Sequence, residues 1–242
     1  MKKLASVTLL GLLLSGVASR SVYAIVVLPQ LMVSDNLGDS ITVDANGLVT
    51  TGGTVGGLNF MGTYSVSAAG GAISITASLG AAGAGWNLTV NTGTSVQAPG
   101  IRPDMDLNYD AQSTGTNNIL TVKFTDGNFG PYTGPLMVGV NGNSVSAGTA
   151  QYEVLVDPAN APFGGADVFD TGAQGPTITA MAFPNITGAF PFSVTQKVTL
   201  NQPTGGHTAS GDAFAVVPEP SILLLLGTGL VGFGYLRRRQ RS

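Results

Sequence analysis

Alternation of apolar and polar side chains recurs through residues 25–217, and this pattern constrains the possible fold more than any other feature. It is clearest at residues 73–79, 120–125, 152–156 and 192–200. Successive side chains of a strand point to opposite faces, so each run would bury one face and leave the other in water. No stretch of this region shows sustained helical spacing with end caps. The sequence therefore predicts an all-β fold built from antiparallel sheets.

Turn signals separate the predicted strands. Asn46-Gly47 lies between two alternating runs and predicts a hairpin, because both residues tolerate the positive φ of a two-residue turn. The same reasoning predicts turns at residues 141–142 and 126–127, which read Asn-Gly and Asp-Gly. Residues 160–175 are rich in Gly, Pro and Asp and predict a long loop.

A strand spacing of about ten residues favours a single β-sandwich over residues 25–216, with a jelly-roll-like arrangement as the alternative. No clean boundary divides this region, so we predict one domain. The chain has no cysteine. The stability of the domain must therefore come from apolar burial and sheet hydrogen bonds rather than from disulfides.

Residues 1–24 have the pattern of a secretory signal peptide. Lys2 and Lys3 form its basic start, an apolar run follows at residues 4–17, and the small residue Ala24 favours cleavage directly after it. Cleavage after Ala18 is the alternative. This pattern predicts export by the Sec machinery and processing by signal peptidase. A retained N-terminal anchor is disfavoured because the apolar run is short.

Residues 217–242 contain three parts in order: a short motif, an apolar segment and a basic tail. The motif is Val217-Pro218-Glu219-Pro220-Ser221. As a helix, residues 222–236 would be about 22 Å long, against a hydrocarbon core of about 30 Å, which predicts a short transmembrane sorting helix. The tail, residues 237–242, would stay on the cytoplasmic side of the membrane. Its basic residues are Arg237, Arg238, Arg239 and Arg241.

These three parts together resemble the C-terminal sorting signal of PEP-CTERM proteins, the substrates of exosortases. The resemblance implies processing at or near the motif. It also implies a Gram-negative host, transient anchoring in the inner membrane with the body in the periplasm, and a final place at the cell surface or in the extracellular matrix. The body looks like one recurring kind of PEP-CTERM passenger at residues 191–200 and 209–217, which implies no known active site. An ordinary retained tail anchor is the alternative.

Charge is distributed unevenly along the chain. Residues 25–217 contain three basic and twelve acidic residues, a net charge of −9, because the other basic residues lie in the two terminal segments. A nucleic-acid-binding surface requires a basic footprint, so we expect no nucleic-acid partner. An acidic body favours solubility and possible cation binding.

Oxygen-bearing side chains at alternate positions resemble the start of a calcium loop. They are Asp104, Asp106, Asn108 and Asp110. The resemblance then stops, because Tyr109 and Gly115 stand where such a loop has its glycine and its bidentate glutamate. The favoured interpretation is a strand with the four residues on its solvent-exposed face. Weak binding of Ca²⁺ is the one cofactor possibility that this pattern offers.

No pattern in the body predicts catalysis. His207 is the only histidine and lies in a predicted turn, without a nucleophile-elbow motif elsewhere. We therefore expect a non-enzymatic, structural or adhesive protein of the cell envelope or exopolysaccharide matrix. A carbohydrate-binding module is the alternative and would show exposed aromatic residues, for which the candidates are Trp86, Phe60, Tyr64, Tyr109 and Tyr132. A secreted hydrolase, with converging carboxylates in a cleft, is less favoured.

Overall fold

The computed structural model describes residues 29–52, 62–69, 71–80, 85–93, 102–115, 118–144, 148–189 and 191–218. Within these ranges the chain forms sixteen β-strands and no helix, so the all-β prediction is confirmed. None of these residues forms a helix able to cross a membrane. The predicted signal peptide and the predicted sorting helix lie outside the described ranges.

Two seven-stranded antiparallel sheets contain most of the strands. The first has the order β12 (Ala166–Asp170), β11 (Thr149–Asp157), β15 (Phe192–Gln202), β8 (Asn118–Phe129), β1 (Gln30–Asp35), β2 (Ser40–Asp44), β3 (Val49–Gly52). The second has the order β13 (Thr177–Ala182), β10 (Met137–Ser144), β16 (Thr208–Val216), β7 (Asp104–Ser113), β6 (Trp86–Thr92), β5 (Ala72–Leu79), β4 (Thr63–Ala69). A small third sheet pairs β9 (Tyr132–Pro135) with β14 (Asn185–Gly188).

The core lies between the two large sheets and is filled by the inward residue of each alternating pair. In β7, for example, Met105, Leu107 and Tyr109 are buried between more exposed neighbours. Tyr152, on the first sheet, is fully buried and places its hydroxyl 2.8 Å from the side-chain oxygen of Gln196. This arrangement is that of a sandwich, as the alternation predicted.

The hairpin predicted at Asn46-Gly47 is confirmed, but its connection spans residues 45–48 rather than two residues, and of the pair only Gly47 has a positive φ. Gly47 has a φ of 79° and donates its N–H to the carbonyl of Asp44 at 2.9 Å, between strands β2 and β3. A left-handed backbone at this point favours glycine because a Cβ would crowd the following carbonyl.

The turns predicted at residues 141–142 and 126–127 are wrong. Both pairs lie inside strands, β10 and β8. Gly142 faces the core, where a Cβ would lie 2.7 Å from the hydroxyl oxygen of Tyr109. The glycine is therefore needed for close packing rather than for a turn. Gly127 lies where β8 and β15 shift register, and strand interiors use glycine at such irregularities.

The loop predicted at residues 160–175 is partly wrong, because it contains β12. This strand pairs with β11 from Glu153 opposite Asp170 to Val156 opposite Ala166. Pairing with a neighbour, rather than intrinsic propensity, makes this Asp-rich segment a strand.

The loop between β11 and β12 covers part of the outer face of the first sheet. The hydroxyl of Ser193 donates to the carbonyl of Ala161 at 2.8 Å, and the N–H of Asn128 donates to the side chain of Asn160 at 2.9 Å. As a result, Ser193 and Thr195 are fully buried, although the alternating pattern of residues 192–200 predicted that they face solvent. The covering loop, and not the strand pattern, decides their burial.

Candidate functional site

The outer face of the second sheet is built from short polar side chains that adjacent strands bring into rows. Strand register aligns one residue from each of the seven strands into a central row. This row is Ser67, Ser74, Asn91, Asn108, Asp212, Asn141 and Thr179. A second row beside it is Ser65, Thr76, Thr89, Asp110, Ser210, Asn143 and Thr177. We call these two rows the polar face.

Hydroxyl-to-amide hydrogen bonds fix several side chains of the polar face. Ser74 donates to the side-chain oxygen of Asn91 at 2.7 Å, and Ser210 donates to that of Asn143 at 3.0 Å. Thr179 donates to Asn141 in the same way at 3.2 Å. In each pair the asparagine uses its oxygen, so its NH₂ group remains a donor for solvent or a ligand.

Two neighbouring grooves cross this side of the sheet. One has a volume of about 820 Å³ and is lined mainly by β7, β16, β10 and β13. The other has a volume of about 590 Å³ and is lined mainly by β4 to β7. Thr89 and Asp110 line both grooves, so the two are continuous. Seven strands at a spacing of about 4.8 Å give this surface a width of about 29 Å.

The polar face is acidic. Asp110 and Asp212 belong to its rows, and Asp106 lies next to them on β7. The described residues of the two rows include no Lys, Arg or His. Two of the body's cations lie on the other sheet, where Lys197 pairs with Glu153 at 2.6 Å and stands opposite Lys123. These two lysines thus lie away from the polar face, although the first sheet has carboxylates of its own, such as Glu153 and Asp170.

Asp106 is the most perturbed carboxyl group of this side of the sheet. Partial burial and the neighbouring Asp212 raise its pKa to about 6, while a hydrogen bond of 2.9 Å from the side-chain amide of Asn108 opposes the shift. Two carboxylates that approach each other resist simultaneous ionisation. A cationic group bound between them would relieve this repulsion.

The four residues of the predicted calcium pattern all lie on β7 and all point away from the core, as the favoured strand interpretation expects. Along a strand, alternate residues are separated by about 6.8 Å, so these four side chains form a line rather than a cage. The described part of the chain contains no group of three or more His, Cys, Asp or Glu residues suited to a metal ion. Weak binding of Ca²⁺ at Asp104, Asp106, Asn108 and Asp110 stays a prediction.

The candidate aromatic residues do not form one platform. Trp86 and Tyr109 are buried in the core, Tyr132 is half-buried, and Tyr64 is exposed on the edge strand β4. Phe60 lies outside the described residues. His207 is in the turn before β16, where its backbone carbonyl accepts the N–H of Ser113 at 2.9 Å.

Sequence reasoning found Asp106, Asn108 and Asp110 but missed Asp212, Asn91 and Asn141, which the sheet places beside them. The only signal for these residues was the recurrence of Asn, Thr and Ser at the outward positions of the strands. Which of those positions become neighbours depends on the register of the paired strands, and this register cannot be read from the sequence.

The sorting motif begins directly at the end of the folded body. Val217 follows β16, is almost fully buried, and donates its N–H to the carbonyl of Pro103 at 2.9 Å. Pro218 is the last described residue. Glu219, Pro220 and Ser221 lie beyond the described residues, as do Ala24 and the four arginines of the tail.

Solved structures show only remote likenesses to this chain. TmCBM61 in complex with β-1,4-galactotriose is 11% identical, with a TM-score of 0.27 over 55% of this chain and 88% of that one. The enzymatically active domain of tailspike protein 4 from bacteriophage CBA120 is 12% identical, with a TM-score of 0.28 over 55% of this chain and 19% of that one. These scores are too low to indicate a shared fold. Among curated proteins, no sequence matches the chain.

A family model gives a specific result for the C-terminal region. The model of the PEP-CTERM protein-sorting motif matches residues 216–239, which include the motif, the apolar segment and three of the four arginines of the basic tail. This motif is the recognition signal for exosortase processing, and it marks exported proteins. The chain is therefore a PEP-CTERM domain-containing protein, in which the sorting motif follows the last strand of the second sheet without a linker.

Proposed function

We propose that the protein is a non-catalytic component of the cell envelope or exopolysaccharide matrix, delivered by an exosortase and acting in a structural or adhesive role. In this proposal the signal peptide is removed after Ala24, the body folds in the periplasm, and the segment 222–236 holds it in the inner membrane of a Gram-negative cell until processing. The match of the sorting motif at residues 216–239 carries the proposal.

Mass spectrometry of the protein from its own cells tests this route. We expect an N-terminus at Ile25 and loss of the C-terminal basic tail in wild-type cells, with the tail retained in cells that lack the exosortase. Replacing Pro218 and Pro220 by alanine should have the same effect as loss of the enzyme. Detection of an intact C-terminus at Ser242 in wild-type cells would contradict exosortase processing.

Polysaccharide binding on the polar face is the second candidate function. The observation that favours it is the pair of continuous grooves lined by amide, hydroxyl and carboxylate groups. Such groups are suited to bind sugar hydroxyls through hydrogen bonds, and two grooves that share lining residues would accommodate an extended polymer. Isothermal titration with exopolysaccharide from the host should show binding that the exposed-face variants Asn91→Ala and Asn141→Ala weaken. Unchanged binding by both variants would remove this candidate.

A further inference from the structure

We propose that the protein forms a two-fold dimer in which strand β13 of one copy pairs antiparallel with β13 of a second copy. The contact surface is the outer edge of the second sheet, residues 177–182, which we call the open edge. The occupant of this edge is a second copy of this chain, held mainly through its backbone. The inference goes beyond the proposed function, because it depends neither on exosortase processing nor on polysaccharide binding.

The open edge presents unpaired backbone groups. Strand β13 is the outermost strand of its sheet and pairs only with β10. In an antiparallel pair, every second residue directs its N–H and C=O groups away from the neighbouring strand. Within the part of the chain that the structure describes, no residue hydrogen-bonds to the backbone of residues 177–182 from the other side. Such a row of donors and acceptors is a template for another strand.

The edges of the first sheet are protected against such pairing. Strand β12 carries the exposed carboxylates of Asp167 and Asp170, and its pairing with β11 shifts register. Strand β3 has only four residues. Charge, irregular pairing and short length are features that keep sheet edges from joining other chains. The open edge has six residues, reads Thr-Ile-Thr-Ala-Met-Ala, and has none of these features.

The geometry of the second sheet favours β13 of the second copy over β4, the uncharged strand at the opposite edge. All pairings between β13 and β4 are antiparallel, and their number is even, so these two strands run in the same direction. A copy added by translation would therefore place its β4 parallel to β13. A copy rotated about a two-fold axis perpendicular to the sheet places its β13 antiparallel to the first. Antiparallel pairing is the more stable of the two per residue.

The side chains of two antiparallel β13 strands match. Thr177, Thr179 and Met181 point to the outer face, whereas Ile178 and Ala180 point towards the core. Opposite residues lie on the same face only if the two-fold axis passes through a residue. An axis through Thr179 places Met181 opposite Thr177 of the second copy. An axis through Ala180 places Met181 opposite Thr179 instead. Either register covers Met181, whose side chain is 64% exposed in the single chain.

Two acidic bodies approach each other most readily where charge is absent. Residues 25–217 have a net charge of −9, which opposes most contacts between copies. Strands β13 and β10 contain no charged residue, and the nearest carboxylate on the row of Thr179 is Asp212 of β16. Across the junction, the two Asp212 residues would be five strand spacings apart, which is about 24 Å against a Debye length of about 8 Å.

The first sheet places a repulsive feature on the same side. Strand β11 packs against β10 and β13, so β12, with Asp167 and Asp170, lies beside the open edge. Both carboxylates share the outward-facing positions of their β11 partners Leu155 and Glu153, away from the second sheet. They therefore keep the first sheets of two copies apart without blocking β13. Because salt screens this repulsion, the dimer should become stronger as the ionic strength rises.

Pairing at the open edge would extend the polar face. Thr177 and Thr179 line the larger groove, so this groove reaches the junction. In the dimer, the grooves of both copies lie on one continuous sheet. A polymer that contacts both grooves would be held by two linked sites, which raises the overall affinity without a new type of contact.

Cross-linking of the full-length protein in mild detergent tests the dimer, since the chain has no cysteine of its own. We would introduce Thr179→Cys at the open edge and, as the matched control, Ser67→Cys at an exposed position of β4 on the opposite edge of the same sheet. A short bismaleimide should link Thr179→Cys chains into a product of twice the chain mass. We expect its yield to exceed that of the Ser67→Cys variant severalfold and to rise with added sodium chloride.

A second substitution separates strand pairing from mere proximity of the cysteines. Met181→Asp adds a charge to the open edge at an exposed position. It should leave the thermal stability unchanged while reducing the cross-linking of Thr179→Cys severalfold, because charges on an edge strand oppose pairing. Ser65→Asp adds the same charge to the exposed face of β4 and should not reduce it.

The absence of a dimer-sized product at position 179 would overturn the proposal outright. Equal cross-linking at positions 179 and 67 would overturn it as well, because association through the apolar tail links both positions alike. A mixed product of Thr179→Cys and Ser67→Cys chains would replace the two-fold dimer by a head-to-tail array. Undiminished cross-linking in the Met181→Asp variant would show that β13 does not form the contact.

Discussion

The hydroxyl of Tyr152, on the inner face of the first sheet, lies 3.0 Å from the backbone carbonyl oxygen of Phe214 in the second sheet. The two residues belong to different sheets, so this polar contact crosses the sandwich. Phe214 itself is half-buried on the outer face of the second sheet, where its ring lies over Gly139. Burial holds the pKa of Tyr152 well above its usual value, so the hydroxyl keeps its proton as a donor.

Tyr152→Phe should lower the free energy of unfolding by about 1–3 kcal/mol, because it leaves buried acceptors on Phe214 and Gln196 without this donor. Tyr132→Phe is the matched control. Its hydroxyl donates to the carbonyl of Pro135, three residues away, in a half-buried position, so its loss should cost less. Chemical denaturation measures both. Equal losses in the two variants would contradict a special role for the contact across the sandwich.

Gly142→Ala should destabilise the protein by about 1–3 kcal/mol, since the new methyl group would meet the Tyr109 hydroxyl oxygen at 2.7 Å. Tyr109→Phe removes that oxygen, which is buried without a hydrogen-bond partner. The double variant should therefore recover part of the loss. Gly211→Ala is the comparison: its methyl group would meet the ring carbon Cζ at 2.6 Å as well as the hydroxyl oxygen, so Tyr109→Phe should relieve a smaller part of its cost. A double-mutant cycle by thermal denaturation distinguishes the two cases.

Val217→Ala should lower the free energy of unfolding by about 1–2 kcal/mol, because the side chain is almost fully buried at the junction with the sorting motif. Val216→Ala, on the half-buried outer face, is the control and should cost less. Chains that end at Val217 should keep the stability of the body, whereas chains that end at Val216 lose both the buried side chain and the bond to Pro103. If the two truncated chains melt at the same temperature, the junction does not contribute to the fold.

Asp106→Asn should stabilise the protein above pH 6 and have little effect below pH 4. Burial and Asp212 raise the pKa of Asp106 from 3.8 to about 6 in the folded state, so the folded protein binds the proton more tightly than the unfolded chain. Stability conferred by the protonated group is therefore lost as the pH rises from about 4 through 6. Asparagine stays uncharged over this whole range, so the variant avoids the cost of placing a charge beside Asp212. Thermal melts of both proteins across this range measure the difference.

Titration by NMR gives an independent check on the same pair. Asp212→Asn removes the neighbouring carboxylate and should lower the pKa of Asp106, while Asp170→Asn on the other sheet should leave it unchanged. A pKa for Asp106 that does not respond to Asp212→Asn would mean that burial alone sets it.

Local sequence patterns determine much of this protein independently of its tertiary contacts. Alternation placed Met105, Leu107 and Tyr109 inside and Asp104, Asn108 and Asp110 outside, because a strand has a period of two whatever it pairs with. The β2–β3 hairpin follows from the Asn46-Gly47 pair, of which Gly47 supplies the positive φ. The Pro-Glu-Pro motif, apolar segment and basic tail identified the sorting signal in the same local way, since the order of these parts along the chain defines it.

Tertiary structure alone decided what strand register and close packing control. Gly142 looked like a turn residue and is a strand residue, because Tyr109 from another strand needs the space. Ser193 and Thr195 looked exposed and are buried, because a distant loop covers them. Asp212 joins Asn91 and Asn108 in one row only because β16 pairs with β7, a strand far earlier in the chain, in that register. Local patterns state which way a side chain points, whereas its neighbours depend on pairings over long sequence separations that no local pattern encodes.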